Sequence, residues 1–152
     1  SQRALDRAAS LASQRWGDDV TKVTSVCADL AEYVPPPSAF DLVMLVYLQV
    51  PADLRGHVVR MAASAVAPGG HLLVVAHHSR NLVHGVGGPQ DPAVLYTAED
   101  IAADLLADGR EGGDLEVERC EEVLRDVPGD SDAGPAIDAL FLARRPVDAS
   151  RA

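Results

Sequence analysis

A nearly unbroken apolar run between prolines constrains the fold more than any other stretch of the chain. Residues 40–50 are almost all aliphatic or aromatic, with Pro35, Pro36 and Pro37 before the run and Pro51 after it. A short run of this kind, rich in Val and Leu and bounded by prolines, favours a strand over a helix. Because both faces of such a strand are apolar, we expect it to lie centrally in a sheet that helices cover on both sides.

The end of this run carries two polar side chains, Tyr47 and Gln49, directly before a predicted helix. In open α/β sheets, ligands bind beyond the carboxyl ends of the strands. We therefore expect the functional site near Tyr47 and Gln49.

Composition and charge exclude several classes of partner. With 152 residues and 47% hydrophobic content, the chain has the size and apolar material of one domain. A formal net charge of -10 argues against nucleic acid and against an anionic membrane surface. Cys27 and Cys120 have no metal-ligand spacing, and neither an export signal nor a long apolar span is visible, so we expect buried free thiols in a cytoplasmic protein. The chain begins at Ser1 without a methionine, which is consistent with a piece of a longer protein.

Helical and strand patterns alternate along the chain. We predict an amphipathic helix over residues 2–16, with Ser1 as N-cap and Gly17 as its end, and a second helix after Pro51 that residues 68–70 terminate. A loop over residues 78–95 precedes a capping box, Thr97 with Asp100, that opens a third helix ending near residue 109. Strands are predicted at 20–30, 40–50, 71–77, 115–125 and 136–143, the last two joined by a turn at 128–135 and followed by a frayed tail at 148–152. The pattern predicts an α/β three-layer sandwich with a mainly parallel sheet and an antiparallel last strand.

Several short motifs follow one another in a specific order. They are Ala28-Asp29-Leu30, residues 39–43, residues 47–51, the segment from Ala67 to Val75, His77-His78-Ser79 and residues 96–100. In this order they resemble class I S-adenosylmethionine-dependent methyltransferases, and the last two resemble small actinobacterial-type members of that family. The resemblance covers almost the whole chain and implies a Rossmann-like sheet, S-adenosylmethionine as cofactor and methyl transfer to a small-molecule acceptor.

The resemblance also implies cofactor-binding residues. In the family, the acidic residue after the third strand binds the adenine amino group while its neighbours flank the ring, and the end of the fourth strand touches the methionine part of the cofactor. The matching positions are Ala28, Asp29 and Leu30, followed by Val46, Tyr47 and Gln49. The alternatives are an Asp29 carboxylate that local backbone satisfies, and packing roles for Tyr47 and Gln49.

The chain departs from the family pattern before Ser1. Family members begin with a strand, a Gly-x-Gly-x-Gly turn and a second strand that ends in an acidic residue, and the sequence has no such turn. Gly85, Gly87 and Gly88 do not replace it, because no helical pattern follows them directly. We therefore expect an N-terminally truncated methyltransferase domain over residues 1–152, with the first two strands absent, that binds the cofactor weakly or not at all. In the family strand order 3-2-1-4-5-7-6, their loss leaves strand edges open, and we expect self-association through those edges.

Two adjacent histidines, His77 and His78, close the predicted strand 71–77 and are weak candidates for a catalytic base. The alternative is a solvated pair at the end of the strand. Three hypotheses of function remain: a methyltransferase inactive as this fragment, a non-catalytic interaction or dimerisation domain derived from one, and the methyltransferase module of a larger flavin oxidoreductase fusion.

Overall fold

The structure, a computed structural model, describes residues 1–17, 22–106, 115–127 and 134–147. Within it the chain divides into two compact units, Ser1–Tyr33 and Val34–Ala152. The predicted end of the third helix near residue 109, most of the turn at 128–135 and the tail at 148–152 lie outside the described residues. The expectation of one domain stays a prediction.

Among its described residues, the first unit contains one α-helix, α1, over Gln2–Trp16, which confirms the predicted bounds. Its end at Gly17 has a φ of 53°, a left-handed conformation that glycine adopts without steric cost. Ser1 occupies the N-cap position, but only its backbone oxygen acts there, accepting from the N–H groups of Ala4 and Leu5. Ser1 is therefore the N-cap, as predicted, although its side chain forms no cap hydrogen bond.

The described part of the predicted strand 20–30 is not a strand. Residues 22–30 lack ladder pairing, and their apolar members Val23, Val26 and Leu30 are exposed. A strand is defined by hydrogen bonds to a neighbouring strand, so β-branched residues without a partner do not make one. Cys27 is also exposed, so the expectation of a buried thiol is wrong for this residue. In the second unit, burial raises the pKa of the Cys120 thiol.

The second unit is built on a four-stranded sheet. Its strands are β1 (Phe40–Val46), β2 (Val66–His77), β3 (Glu116–Arg125) and β4 (Ala136–Arg144). Their order is β1-β2-β4-β3, with β1 parallel to β2 and β4 antiparallel to both of its neighbours. This confirms the α/β fold with an antiparallel last strand, and the sheet is mixed. Its order corresponds to 4-5-7-6, the last four strands in the family order that the resemblance implies. Among the described strands, β1 pairs only with β2.

The described residues of the second unit also form three α-helices: α2 (Ala52–Ala65), the short α3 (Asn81–His84) and α4 (Ala98–Leu106). The predicted capping box is confirmed, because the Thr97 N–H donates to Asp100 Oδ2 at 2.8 Å and the Asp100 N–H to Thr97 Oγ1 at 3.2 Å. Two predictions need correction. Helix α2 ends at Ala65, before residues 68–70, which belong to β2, and the segment 78–95 holds α3 and a 3-10 turn over Pro92–Val94.

The core lies on one face of the sheet, between the strands and helices α2 and α4. Its most buried members come from both layers and include Val59, Ala63, Leu72, Val74, Tyr96, Ile101 and Phe141. Successive strand residues point to opposite faces, and Val43 and Leu45 of β1 pack against this core. Consequently Leu42, Met44 and Val46 point to the other face, where each is more than half exposed. Among the described residues, no helix is long and apolar enough to cross a membrane.

Candidate functional site

The carboxyl ends of β1 and β2 bring two aromatic rings together. Tyr47 follows β1 with a φ of 52°, a left-handed conformation uncommon for a bulky residue, and its N–H donates to the Val75 oxygen at 2.7 Å. His77 is the last residue of β2. Because the two strands are parallel, their ends are neighbours, and the ring centroids of Tyr47 and His77 lie 4.8 Å apart with planes inclined by 33°.

A buried carboxylate joins these rings to the other two strands. Asp138 lies opposite His77 in the antiparallel β2–β4 ladder and is 1% exposed. Its Oδ2 accepts from the Tyr47 hydroxyl at 2.9 Å and from Arg125 Nε, at the end of β3, at 2.7 Å. His77 Nδ1 lies 3.4 Å from its other oxygen, Oδ1. We refer to Tyr47, His77, Arg125 and Asp138 as the Asp138 cluster.

The charges in the Asp138 cluster are complementary. Burial raises the pKa of the Tyr47 hydroxyl, and its hydrogen bond to Asp138 and the negative charge of Asp138 raise it further. The hydrogen bond to Asp138 likewise raises the pKa of Arg125. Tyr47 is therefore a neutral donor and Arg125 a cation, with its guanidinium 5.6 Å from the centre of the Tyr47 ring. Both hold a negatively charged carboxylate in a buried position.

The side chain of Gln49 is used within the protein. Its Nε2 donates to the Val94 oxygen at 2.5 Å, and its Oε1 accepts from the His77 N–H at 2.9 Å. It thereby ties the segment after β1 to the end of β2 and to the 3-10 turn. This agrees with the packing alternative for Gln49, because both ends of the amide already have partners.

The two predicted histidines have different surroundings. His77 belongs to the Asp138 cluster, and a Cβ added to Gly88 would lie 2.9 Å from its ring atom Cγ. His78 is 7% exposed, its Nδ1 accepts from the Arg80 N–H at 3.0 Å, and it lies 3.8 Å from a Glu122 oxygen. The interpretation of a solvated pair is therefore wrong, because both imidazoles are largely buried and each has its own set of partners.

Asp29 belongs to the first unit and has local partners. Its Oδ1 accepts from the Ala31 N–H at 3.0 Å, and its backbone oxygen accepts from the Tyr33 N–H at 2.8 Å. These contacts match the alternative of a carboxylate satisfied by nearby backbone. Residues 28–30 are exposed, and their assignment to the cofactor, like that of Val46 and Tyr47, stays a prediction.

Sequence analysis missed Asp138 and Arg125, although one signal was available. Asp138 is the only charged residue in the strand before Arg144, inside an otherwise apolar run. Charged residues are almost never fully buried unless they are paired, so an acid within a buried strand indicates a partner nearby. Which residues would be its partners follows from the register of the sheet and not from any local pattern.

Comparison with solved structures identifies the fold of the chain. No protein-family profile matches the sequence, and no curated protein matches it. Solved structures do match. A SAM-dependent methyltransferase from Methanosarcina mazei superposes with a TM-score of 0.57 at 12% identity, over 93% of this chain and 77% of that one. The fold is that of the class I methyltransferases.

Two further solved structures extend this comparison. The cyclase SpnF gives a TM-score of 0.65 at 19% identity, over 97% of this chain and 65% of that one. An O-methyltransferase family protein from Burkholderia thailandensis gives 0.54 at 20% identity, over 86% of this chain and 38% of that one. At these identities the likeness establishes the methyltransferase fold and no particular reaction. This chain spans between 38% and 77% of the length of the three proteins.

Proposed function

We propose that this chain takes part in S-adenosylmethionine-dependent methyl transfer to a small-molecule acceptor. The observation that carries the proposal is the position of the Asp138 cluster, at the carboxyl edge of a β1-β2-β4-β3 sheet with an antiparallel β4. Ligand sites of open α/β sheets lie at this edge. The neighbours in fold support the same chemistry, since two of the three are named as methyltransferases.

The first unit offers candidates for the adenosine part of the cofactor. Asp29 is an exposed carboxylate between the exposed residues Ala28 and Leu30, and it can accept from an exocyclic amino group while its neighbours flank a ring. Val46 and Tyr47 are exposed at the strand end and would contact the methionine part. The Gln49 side chain does not fit as a ligand, because the protein already uses both ends of its amide.

When bound, S-adenosylmethionine supplies an electrophilic methyl group. The contribution of this chain is then to orient the acceptor and to remove its proton. His77 is the base that the geometry favours, because it lies beside a buried carboxylate at the strand end, whereas His78 Nδ1 already accepts a hydrogen bond from the backbone. A hydroxyl acceptor gains most from such a base, since thiols and amines are better nucleophiles without one.

The partner in this proposal is a small molecule. A net charge of -10 disfavours the phosphate backbone of a nucleic acid. The candidate base, His77, lies where β1 and β2 end, at the edge where open α/β sheets bind small ligands.

Titration of the isotopically labelled chain with S-adenosylhomocysteine, observed by NMR, tests the proposal. Amide signals of residues 28–30 and of Val46 and Tyr47 should move with millimolar ligand, without saturation, because the chain lacks a glycine-rich turn. Adenosine alone should move the first group and leave the second in place. Unmoved signals in both groups, or changes confined to other residues, would exclude the cofactor assignment.

A second candidate function rests on the outer edge of β1. Among the described strands this edge has no partner, and the exposed Leu42, Met44 and Val46 adjoin it. Unpaired strand edges pair readily with another chain, so the unit is suited to self-association with a second copy through β1. Sedimentation should then show a concentration-dependent dimer that Met44→Lys weakens and Val83→Lys, on the exposed end of α3, does not. A monomer at every concentration would exclude this function.

A further inference from the structure

Two buried polar atoms in the Asp138 cluster face each other without a partner. They are Asp138 Oδ1 and His77 Nδ1, which lie 3.4 Å apart and have no hydrogen-bond partner among the described residues. A buried polar atom left unpaired loses its hydrogen bonds to water without replacing them, and such atoms are rare in folded proteins. One arrangement satisfies both atoms together. A proton on Nδ1 would point at Oδ1, and the two atoms would need to move only a few tenths of an ångström closer to form a hydrogen bond.

The other oxygen of Asp138 cannot take this role. Oδ2 already accepts from the Tyr47 hydroxyl and from Arg125 Nε. These two donors hold the carboxylate in one orientation, with Oδ1 turned toward the His77 ring. Tyr47 and Arg125 therefore fix the carboxylate without any contribution from the imidazole.

The His77 ring is fixed as well. The Tyr47 ring contacts it at a centroid distance of 4.8 Å, and Gly88 approaches so closely that an added Cβ would lie 3.0 Å from Nδ1. The backbone N–H of His77 donates to Gln49. With the ring held between these groups, Nδ1 is the nitrogen that faces the carboxylate and Nε2 is the one on the far side.

We propose that Asp138 is a positioning residue that fixes the proton of neutral His77 on Nδ1 and so leaves the lone pair on Nε2. The tautomer of a histidine is set by the hydrogen bond that one of its nitrogens makes. In the proton transfer, the O–H bond of the acceptor breaks with its electron pair left on oxygen, and the Nε2 lone pair forms the new N–H bond. The carboxylate of Asp138 then faces an imidazolium. The proton transfer rests on the proposed function, whereas the position of the proton on Nδ1 does not.

Nitrogen NMR of the histidine-labelled chain tests the inference directly. At a pH where His77 is neutral, its spectrum should show the Nδ1–H tautomer in roughly tenfold excess, the preference expected for a hydrogen bond to a charged group. His77→Gln assigns the signal by its loss. In Asp138→Asn the population should move toward the Nε2–H tautomer, because the charge that holds the Nδ1 proton is gone.

Glu122→Gln is the matched control. It removes a carboxylate near the neighbouring imidazole, His78, and should leave the His77 signal unchanged. A wild-type His77 in the Nε2–H form would overturn the inference without any variant, so the test does not depend on Asp138→Asn being folded. An unchanged tautomer in folded Asp138→Asn would overturn it too. The S-adenosylhomocysteine titration reports separately on the proposed function, because cofactor contacts at residues 28–30 do not depend on the His77 proton.

Discussion

Removing one oxygen atom, in Tyr47→Phe, tests whether the Asp138 cluster stabilises the second unit. The ring that contacts His77 is kept, and only the hydroxyl that donates to Asp138 at 2.9 Å is lost. A hydrogen bond to a charged group contributes about 1.5 to 3 kcal/mol. Because Arg125 still donates to the same oxygen, we expect a cost at the low end, about 1 to 2 kcal/mol.

Urea unfolding measures this cost as a shift of the midpoint at constant m value. Tyr33→Phe is the control, since Tyr33 and Tyr47 are both 38% exposed, and it should change the unfolding free energy by less than about 0.5 kcal/mol. A double-mutant cycle with Asp138→Asn should give a coupling of about 1 kcal/mol. Additive effects within about 0.3 kcal/mol would refute the interaction between Tyr47 and Asp138.

Two further predictions concern Gly88 and Tyr96. Gly88→Ala places a Cβ 2.9 Å from His77 Cγ at a φ of 78°, whereas Gly87→Ala meets open space at a φ of 69°. In urea unfolding Gly87→Ala should cost about 1 to 2 kcal/mol, and Gly88→Ala about 1 to 3 kcal/mol more; equal costs would contradict the contact. Burial raises the pKa of Tyr96 to about 12, so from about pH 10 upward the unfolded chain loses a proton that the folded protein keeps. The stabilisation from protonated Tyr96 should be fully present below about pH 10, and the free energy of unfolding should fall by about 1.4 kcal/mol per pH unit between about pH 10 and 12. A Tyr96→Phe variant whose unfolding free energy falls equally steeply with pH would contradict this.

The sheet of the second unit could be predicted because its signals are local. Apolar runs and turn residues predict β3 and β4 to within one residue and the start of β1, whereas the predicted strand 40–50 continues past the end of β1 at Val46. The start of β2 could not be predicted this way. The turn residues predict Gly70 at a helix end, but it lies in β2, where an added Cβ would be 2.9 Å from the Asp41 backbone oxygen, so the glycine allows β2 to approach β1 closely.

The predictions that failed depend on partners far away in sequence. Residues 22–30 have strand-forming side chains but no ladder partner within the part of the chain that the structure describes, and a strand needs both. The sequence indicated His77 as a candidate, yet its environment is created by Asp138, which the antiparallel register of β2 and β4 brings opposite it. Local periodicity carries no information on that register, so the Asp138 cluster could be recognised only in the structure.

Calorimetry with S-adenosylmethionine tests the central claim most directly, in an engineered variant of this chain to which a strand, a Gly-x-Gly-x-Gly turn and an acidic strand end are added. Asp29→Ala should weaken cofactor binding by about 1 to 3 kcal/mol, which is roughly 5-fold to 150-fold in dissociation constant. Glu32→Ala, an exposed acid in the same segment, should leave the dissociation constant unchanged, as should His77→Ala. An Asp29→Ala enzyme that binds the cofactor as tightly as the parent would contradict the assignment of this chain to S-adenosylmethionine-dependent methyl transfer through Asp29.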